Sequence, residues 1–384
     1  PRCSCLPSGR RCSRGRRRSW KTASFQRILA DTGTRGRSSE WQWTDRVVEG
    51  RHGCAAAPRG LGGLGGARSP PCTEAAARRG GDTLMSGTVG FVGLGRMGLP
   101  MATNLARAGV RLVCHDTSPA AGVAAAALAG ASVVGSAGEV AARADVLFTC
   151  LPNNDVVRAA YLGPGGVAGG ARPGLVTCDC STVGPEVTTE IAAALAARGV
   201  THMDTPMLGS EPQAVAGEIF FIVGGDRAKV DTVLPYLAHM GTRHVYVGPA
   251  GTGNRIKLIH NGLAAVTAVA VAEALAVCVA SGVDRDTFYE VVRQGGGMAY
   301  GTYFERRAKR VLDGDFSPTF TLELMRKDAA LALALAGAVK VPAPLLEETR
   351  RTYDEAVTRG WGREDFSAVT HVVEHRIGRA LSAG

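Results

Sequence analysis

From residue 88 onward, short apolar runs alternate with longer stretches whose apolar residues recur every three or four positions. "TVGFVG" and "VRLVCHD" are compact and apolar, and "RMGLPMATNLARAG" between them has helical spacing. "ADVLFTCLP" (144–152), "GLVTCDCST" (174–182), "VTHMDTP" (200–206), "GEIFFIVGG" and "RHVYVG" read as further strands. Amphipathic stretches such as "PEVTTEIAAALAARG" separate them. This alternation predicts an α/β Rossmann-type fold, a doubly wound parallel sheet with helices on both faces, over residues 85–250.

The pattern changes at Gly251. Beyond it only helical periodicity remains, over 252–281 and then roughly 284–294, 299–312, 321–338, 343–358 and 364–380. The first of these, about 45 Å long at 1.5 Å per residue, is the expected interdomain helix and the spine of an all-α domain, 251–384. It is rich in Ala and interrupted by Glu273, which argues against a membrane span. A cleft between the two domains is the expected ligand site.

Charge changes the picture for the first 84 residues only. They carry 17 Lys and Arg against 6 Asp and Glu, whereas the remaining 300 carry 27 against 28. This Arg-, Gly-, Ser- and Pro-rich segment shows no period and too little apolar surface to fold alone. It is read as a disordered or non-native basic extension, with the natural start at Met85; an Arg-rich transit peptide or a nucleic-acid-binding arm are the other readings. The cysteines at 114, 150, 178, 180 and 278 sit inside apolar runs, as reduced, buried thiols of a cytoplasmic protein do. "CDC" at Cys178–Cys180 lacks a second ligand pair at suitable spacing, so no metal is expected.

The chemistry begins with "VGFVGLGRMG". Gly93, Gly95 and Gly98 form G-x-G-x-x-G directly after a strand and at the head of a helix, the context that gives the motif meaning. The first glycine permits a tight turn, the second lets backbone N–H groups approach a pyrophosphate, and the third lets helix pack on strand. Leu94, Arg96 and Met97 complete the expected cofactor cradle, and the helix N-terminus offers its positive end to the phosphates. In "CHDTSP", Asp116 ends the second strand where a carboxylate accepts hydrogen bonds from an adenosine ribose. It would repel a 2′-phosphate, and no Arg follows, so NAD is expected over NADP.

A second cluster lies in "RIKLIHNG". Lys257, His260 and Asn261 stand at i, i+3 and i+4, so they share one face of a helix headed for the core. A hydride leaves a carbinol carbon only as the hydroxyl proton is removed. Lys257 is the expected general acid/base, its pKa lowered by desolvation and by a positive ring nearby. Asn261 would hold the hydroxyl or orient the amine, and His260 would bind substrate oxygens.

Six motifs, in order, resemble the β-hydroxyacid dehydrogenase family over nearly all of 88–380. They are "GFVGLGRMGLPMATNLARAG", "LPN" (151–153), "DCSTVGP" (179–185), "DTPMLGSEPQAVAGEI" (204–219), "GTGNRIKLIHN" and "FTLELMRKD" (320–328). The resemblance extends to 3-hydroxyisobutyrate dehydrogenases and tartronate semialdehyde reductases and, more distantly, to 6-phosphogluconate dehydrogenase. It implies cofactor contacts from Leu151, Pro152, Thr182 and Lys327, with Lys327 arriving from the helical domain. It also implies backbone donation from Gly209 to a substrate carboxylate, and a homodimer or homotetramer built through the helical domains.

The chain departs from the family pattern at three substrate-side positions. Leu208 stands where a Ser is usual, Ser210 replaces a Gly, and His260 replaces an Asn common in small members. A substrate less polar near Leu208, or one anchored through Ser210 and His260, would follow. The expected function is NAD-dependent oxidoreduction of a small 3-hydroxyacid or its semialdehyde, acting on CH–OH donors, with no nucleic-acid or membrane partner. An imine reductase on the same scaffold is the alternative, and Lys257 argues against it. A non-catalytic dinucleotide-binding module is the third reading.

Overall fold

The computed structural model describes residues 87–382. The readings of residues 1–84 and of a start at Met85 lie outside the described residues.

Nine strands form one sheet: β1 (Thr88–Val92), β2 (Arg111–His115), β3 (Ala131–Val133), β4 (Val146–Thr149), β5 (Val176–Asp179), β6 (Thr201–Asp204), β7 (Met207–Leu208), β8 (Ile219–Gly224) and β9 (Gly241–Gly248). Their order is β3-β2-β1-β4-β5-β6-β8-β7, with β9 against β8. The first six run parallel, as the strand–helix alternation predicts. Beyond β6 the sense reverses. Met207 and Leu208 fold back onto β8, which meets β6 antiparallel at Asp204 and Gly224 alone, and β9 then runs parallel to β8. The sequence reading passes over β3 and β7, runs of three and two residues too short to show a period.

The parallel strands are apolar throughout because helices cover both faces. Successive residues point to opposite sides, so Phe91 joins Phe148, Cys178 and Met203 in one core while Val92 joins Leu147 in the other. The first core is closed by Met101 and Leu105 of helix Gly98–Arg107 and by Val233 and Leu237 of helix Val230–Met240. The second is closed by Val140, Val157, Tyr161, Ile191 and Leu195. Truncating a fully buried leucine such as Leu195 to Ala costs about 2–5 kcal/mol. Strand order reverses at β1, from which β2 and β4 lead away on opposite sides, and that parting opens a crevice at the strands' carboxyl ends.

Gly251, with φ +87°, turns the chain into a helix of 29 residues, Thr252–Ala280. By length and composition this helix could cross a bilayer. Its small residues Ala265 and Ala268 instead pack with Met325 and Ala329 of helix Leu322–Ala338. At Gly262 a Cβ would stand 3.1 Å from that of Ala332, so the two helices meet closely. The remaining helices follow the predicted periodicity with two differences. The stretch 299–312 contains a π-turn at Phe304–Ala308. The run 364–380 becomes α-helical only at Thr370, because Asp365 is held extended. Its buried carboxylate pairs with Arg307 and Arg310 and accepts N–H bonds from Thr319 and Ser367, contacts unseen from the local pattern.

Candidate active site

A cleft of about 1100 Å³ lies over the carboxyl ends of β1, β2, β4 and β5, walled on its far side by helix Leu322–Ala338 and the start of the spine helix. The glycine turn forms its floor. Gly93 has φ +90°, and a Cβ there would fall 2.3 Å from the Cys150 carbonyl oxygen. A Cβ on Gly98 would fall 1.9 Å from the Gly93 carbonyl oxygen, which locks the helix start against the turn. A Cβ on Gly95 would meet nothing within 4 Å, so there the bare backbone fronts open space. Leu94 turns its side chain into the core and donates its N–H to Asp116 Oδ2 at 2.6 Å. The other Asp116 oxygen accepts from Ser118 N–H at 2.7 Å. Asp116 thus shapes the turn and also presents a carboxylate to the cleft. Met97 lines the floor, and Arg96 reaches across the opening to Glu211 at 2.7 Å and the Pro318 carbonyl at 2.8 Å.

The loops after β4 and β5 form the next wall. Leu151 donates its N–H to Ser181 Oγ at 2.8 Å, and Ser181 Oγ donates to Asp179 Oδ1 at 2.5 Å. Ser181 N–H at 3.1 Å and Thr149 Oγ1 at 2.7 Å add a second and a third donor to that oxygen, while Asp179 Oδ2 is buried without a hydrogen-bond partner among the described residues. Burial holds the Asp179 carboxyl above the usual carboxylate range. Pro152 and Thr182 line the same wall, and the Thr182 carbonyl accepts from Lys327 Nζ at 2.7 Å. Lys327 therefore bridges the helical domain to the cofactor-side loop.

Lys257 is placed by Asp204, the last residue of β6. Its Oδ1 accepts from Gly251 N–H at 2.8 Å and its Oδ2 from Asn254 N–H at 2.7 Å, which caps the spine helix. Burial pushes the Asp204 carboxyl up to about 6 against these donors. Asn254 fastens the same turn to the β5 loop, accepting from Val183 N–H at 3.2 Å. Lys257 follows one turn later and enters the cleft wall. Desolvation brings its ammonium down to about 8, with Lys327 acting in the same direction and Asp328 against it.

Asn261 is buried behind Lys257. It donates to Asp328 Oδ2 at 2.6 Å, while Asp328 Oδ1 pairs with Lys327 at 3.0 Å. Asp328 is 1% exposed, and no local pattern marks it beyond the motif in which it stands. The only local signal was its place beside Lys327.

The remaining sequence-derived residues divide. Gly209, with φ +138°, and Ser210 line the cleft, but the Ser210 hydroxyl donates to Gln213 Oε1 at 2.7 Å. Leu208 pairs with Phe220 on β8 and His260 is exposed, and neither lies in the cleft wall. His260 Nδ1 instead shares a hydrogen bond with Asn261 Oδ1 at 3.0 Å. Cys178 and Cys180 are free thiols, and among the described residues no three His, Cys, Asp or Glu side chains gather as metal ligands.

A glycine cradle that a single Cβ would fill, open backbone at its centre, a carboxylate at the ribose end and a desolvated amine opposite fit a nicotinamide dinucleotide. They define a dinucleotide-dependent oxidoreductase. Residues 88–248 match the family model described as the NAD binding domain of 6-phosphogluconate dehydrogenase. Residues 251–373 match that described as NAD-binding of NADP-dependent 3-hydroxyisobutyrate dehydrogenase. The chain is 34% identical to 2-(hydroxymethyl)glutarate dehydrogenase of Eubacterium barkeri, over 77% of this chain and 98% of that one. It is 33% identical to 3-sulfolactaldehyde reductase of Escherichia coli with the same coverage. The solved 3-hydroxyisobutyrate dehydrogenase of Mycobacterium tuberculosis with L-serine superposes with a TM-score of 0.69 at 31% identity, covering 75% of this chain and 99% of that one. The chain belongs to the β-hydroxyacid dehydrogenase family, NAD-binding oxidoreductases acting on CH–OH donors.

Proposed function

We propose that this protein interconverts a small 3-hydroxyacid and its semialdehyde, with Lys257 as the general acid/base. Bound NAD supplies the hydride acceptor. The observation that carries the reading is a cleft-facing amine brought down to about 8, which lets it exchange a proton near neutral pH. In the oxidative direction neutral Lys257 takes the hydroxyl proton; in the reductive direction its ammonium returns one. Asn261 and Asp328 fix the polar ground behind the amine, and Asp328 keeps part of its charge favourable.

For the substrate's anionic end, Gly209 is the residue of the β7 loop that fronts the cleft without a side chain. The Ser210 hydroxyl and the His260 ring already hold internal partners, which supports anchoring through the loop backbone. Leu208, unlike its neighbours Met207 and Gly209, does not line the cleft, which weighs against an apolar substrate pocket at that point. Lys257 also weighs against the imine-reductase alternative.

The test is a rate survey with both nicotinamides, setting 3-hydroxyisobutyrate, serine, glycerate, 2-(hydroxymethyl)glutarate and 3-sulfolactaldehyde against cyclic imines. Turnover confined to the imines would overturn the reading. Ile256, Ile259, Leu263 and Val277 form one exposed apolar row on the spine helix, which supports a homodimer or homotetramer built through the helical domains. Light scattering at the mass of one chain would remove that part.

A further inference from the structure

Two cysteines of the cleft take no part in the reaction above. Cys150 follows β4 and Cys180 follows β5; both residues line the cleft, neither is in a disulfide, and the Cys180 thiol shares a hydrogen bond with the Thr205 hydroxyl at 3.3 Å. The parallel ladder pairs Thr149 with Asp179, and Cys180 N–H continues it by donating to the Thr149 carbonyl at 2.8 Å. One step further, Cys150 and Cys180 stand opposite one another. They lie two residues beyond Phe148 and Cys178, and all four pack in the same core, so both thiols leave the sheet on the same face. Neighbouring strands are about 4.8 Å apart, a spacing at which two cysteine side chains can share one bridging atom.

We propose that Cys150 and Cys180 form a vicinal dithiol that captures a trivalent organoarsenical, and that the captured group excludes the dinucleotide. Two S–H bonds and two As–OH bonds break, two As–S bonds form, and two waters leave. Arsenic stays trivalent and no sulfur is oxidised. Reactants and product are both neutral, so burial does not oppose the exchange.

Burial does oppose the competing thiol chemistry. It pushes Cys150 up to about 12 and Cys180 well above its usual value, which starves disulfide exchange of the thiolate it requires. Cys150 is the less buried of the two residues, so the arsenical meets it first and Cys180 closes the ring. Exclusion follows from position. The Cys150 carbonyl abuts the Gly93 turn, and the Thr182 carbonyl, two residues beyond Cys180, accepts from Lys327. An aryl group on the bridging arsenic would fill the space between the glycine turn and Lys327.

The experiment uses the full chain with Cys3, Cys5, Cys12, Cys54 and Cys72 changed to Ser, so that only the thiols of the described residues report. Phenylarsine oxide is added, and intact mass and NADH binding by fluorescence are measured. The expected result is one phenylarsenic group per chain that survives a monothiol wash and is removed by 2,3-dimercaptopropanol, with loss of NADH binding while it is attached. Cys150→Ser and Cys180→Ser should each lose the stable adduct, and Cys178→Ser and Cys278→Ser should retain it. The proposal is overturned by no stable adduct in the parent, by one that persists in either cleft variant, or by one that leaves NADH affinity unchanged. None of these readouts depends on the substrate.

Discussion

The Asn261 carboxamide donates to Asp328 Oδ2 at 2.6 Å, tying the first turns of the spine helix to helix Leu322–Ala338 directly behind Lys257. Asp328 holds the Lys257 ammonium up while burial draws it down, and the two together leave it at about 8. Asp328→Asn removes that upward influence. The reductive kcat/KM, which needs the ammonium, should then fall at a lower pH than in the parent, and the oxidative limb, which needs the free amine, should begin to rise earlier. pH profiles in both directions measure this, and unmoved limbs would show that Asp328 does not act on Lys257.

Lys257→Met separates chemistry from folding. Turnover should drop about 10²–10⁴-fold while NADH binding is kept, because the proton carrier alone is lost. Stability should move the other way. The folded-state value of about 8 lies below the ordinary 10.5, so between them the unfolded chain binds more protons and wild-type stability rises with pH. Below that window the full cost of burying the ammonium is present. The variant should therefore melt at a higher temperature than wild type at pH 7, with the gap closing toward pH 10.5. Near-normal turnover would remove the acid/base assignment, and a lower Tm at pH 7 would remove the buried-charge account.

Ser181 is the relay between two cofactor-side loops, accepting from Leu151 N–H and donating to Asp179. Ser181→Ala leaves the Leu151 N–H and the buried Asp179 each short of a partner, at about 1–3 kcal/mol per unsatisfied group. The loops loosen where they meet the dinucleotide, far along the chain from Lys257. The KM for NADH should rise by roughly tenfold, about 1.4 kcal/mol, with kcat changed much less. Equal losses in both would point to the chemical step instead.

Asp116 is the residue expected to govern the choice between the two nicotinamides, since its carboxylate lines the cleft directly after β2. Two like charges about 4 Å apart repel by about 4 kcal/mol at an effective dielectric of 20, ample for a preference of about 100-fold. kcat/KM should favour NADH over NADPH by that order, and Asp116→Ser should narrow the ratio mainly by improving NADPH. A parent enzyme that prefers NADPH would reverse the reading of this position.

What the chain spells out locally, it spells out well. Strand–helix alternation, the glycine spacing after β1, the carboxylate directly after β2 and the helical spacing of Lys257 and Asn261 are short-range patterns. Each is set by backbone sterics or by a 3.6- or 2-residue period, and each appears in the structure where the pattern puts it. Tertiary structure decided the rest, because those contacts join residues far apart in sequence. Asp204 caps the spine helix from 47 and 50 residues upstream, and Asp328 reaches Asn261 across 67. Leu208 and His260 look like substrate residues by position, yet neither lines the cleft, and the His260 ring shares its hydrogen bond with the Asn261 oxygen. No periodicity encodes which carboxylate will meet which amine. Only the packing of the spine helix between the carboxyl end of β6 and a second helix brings Lys257, Lys327 and Asp328 within reach of one another, and the low dielectric there sets the amine's proton affinity.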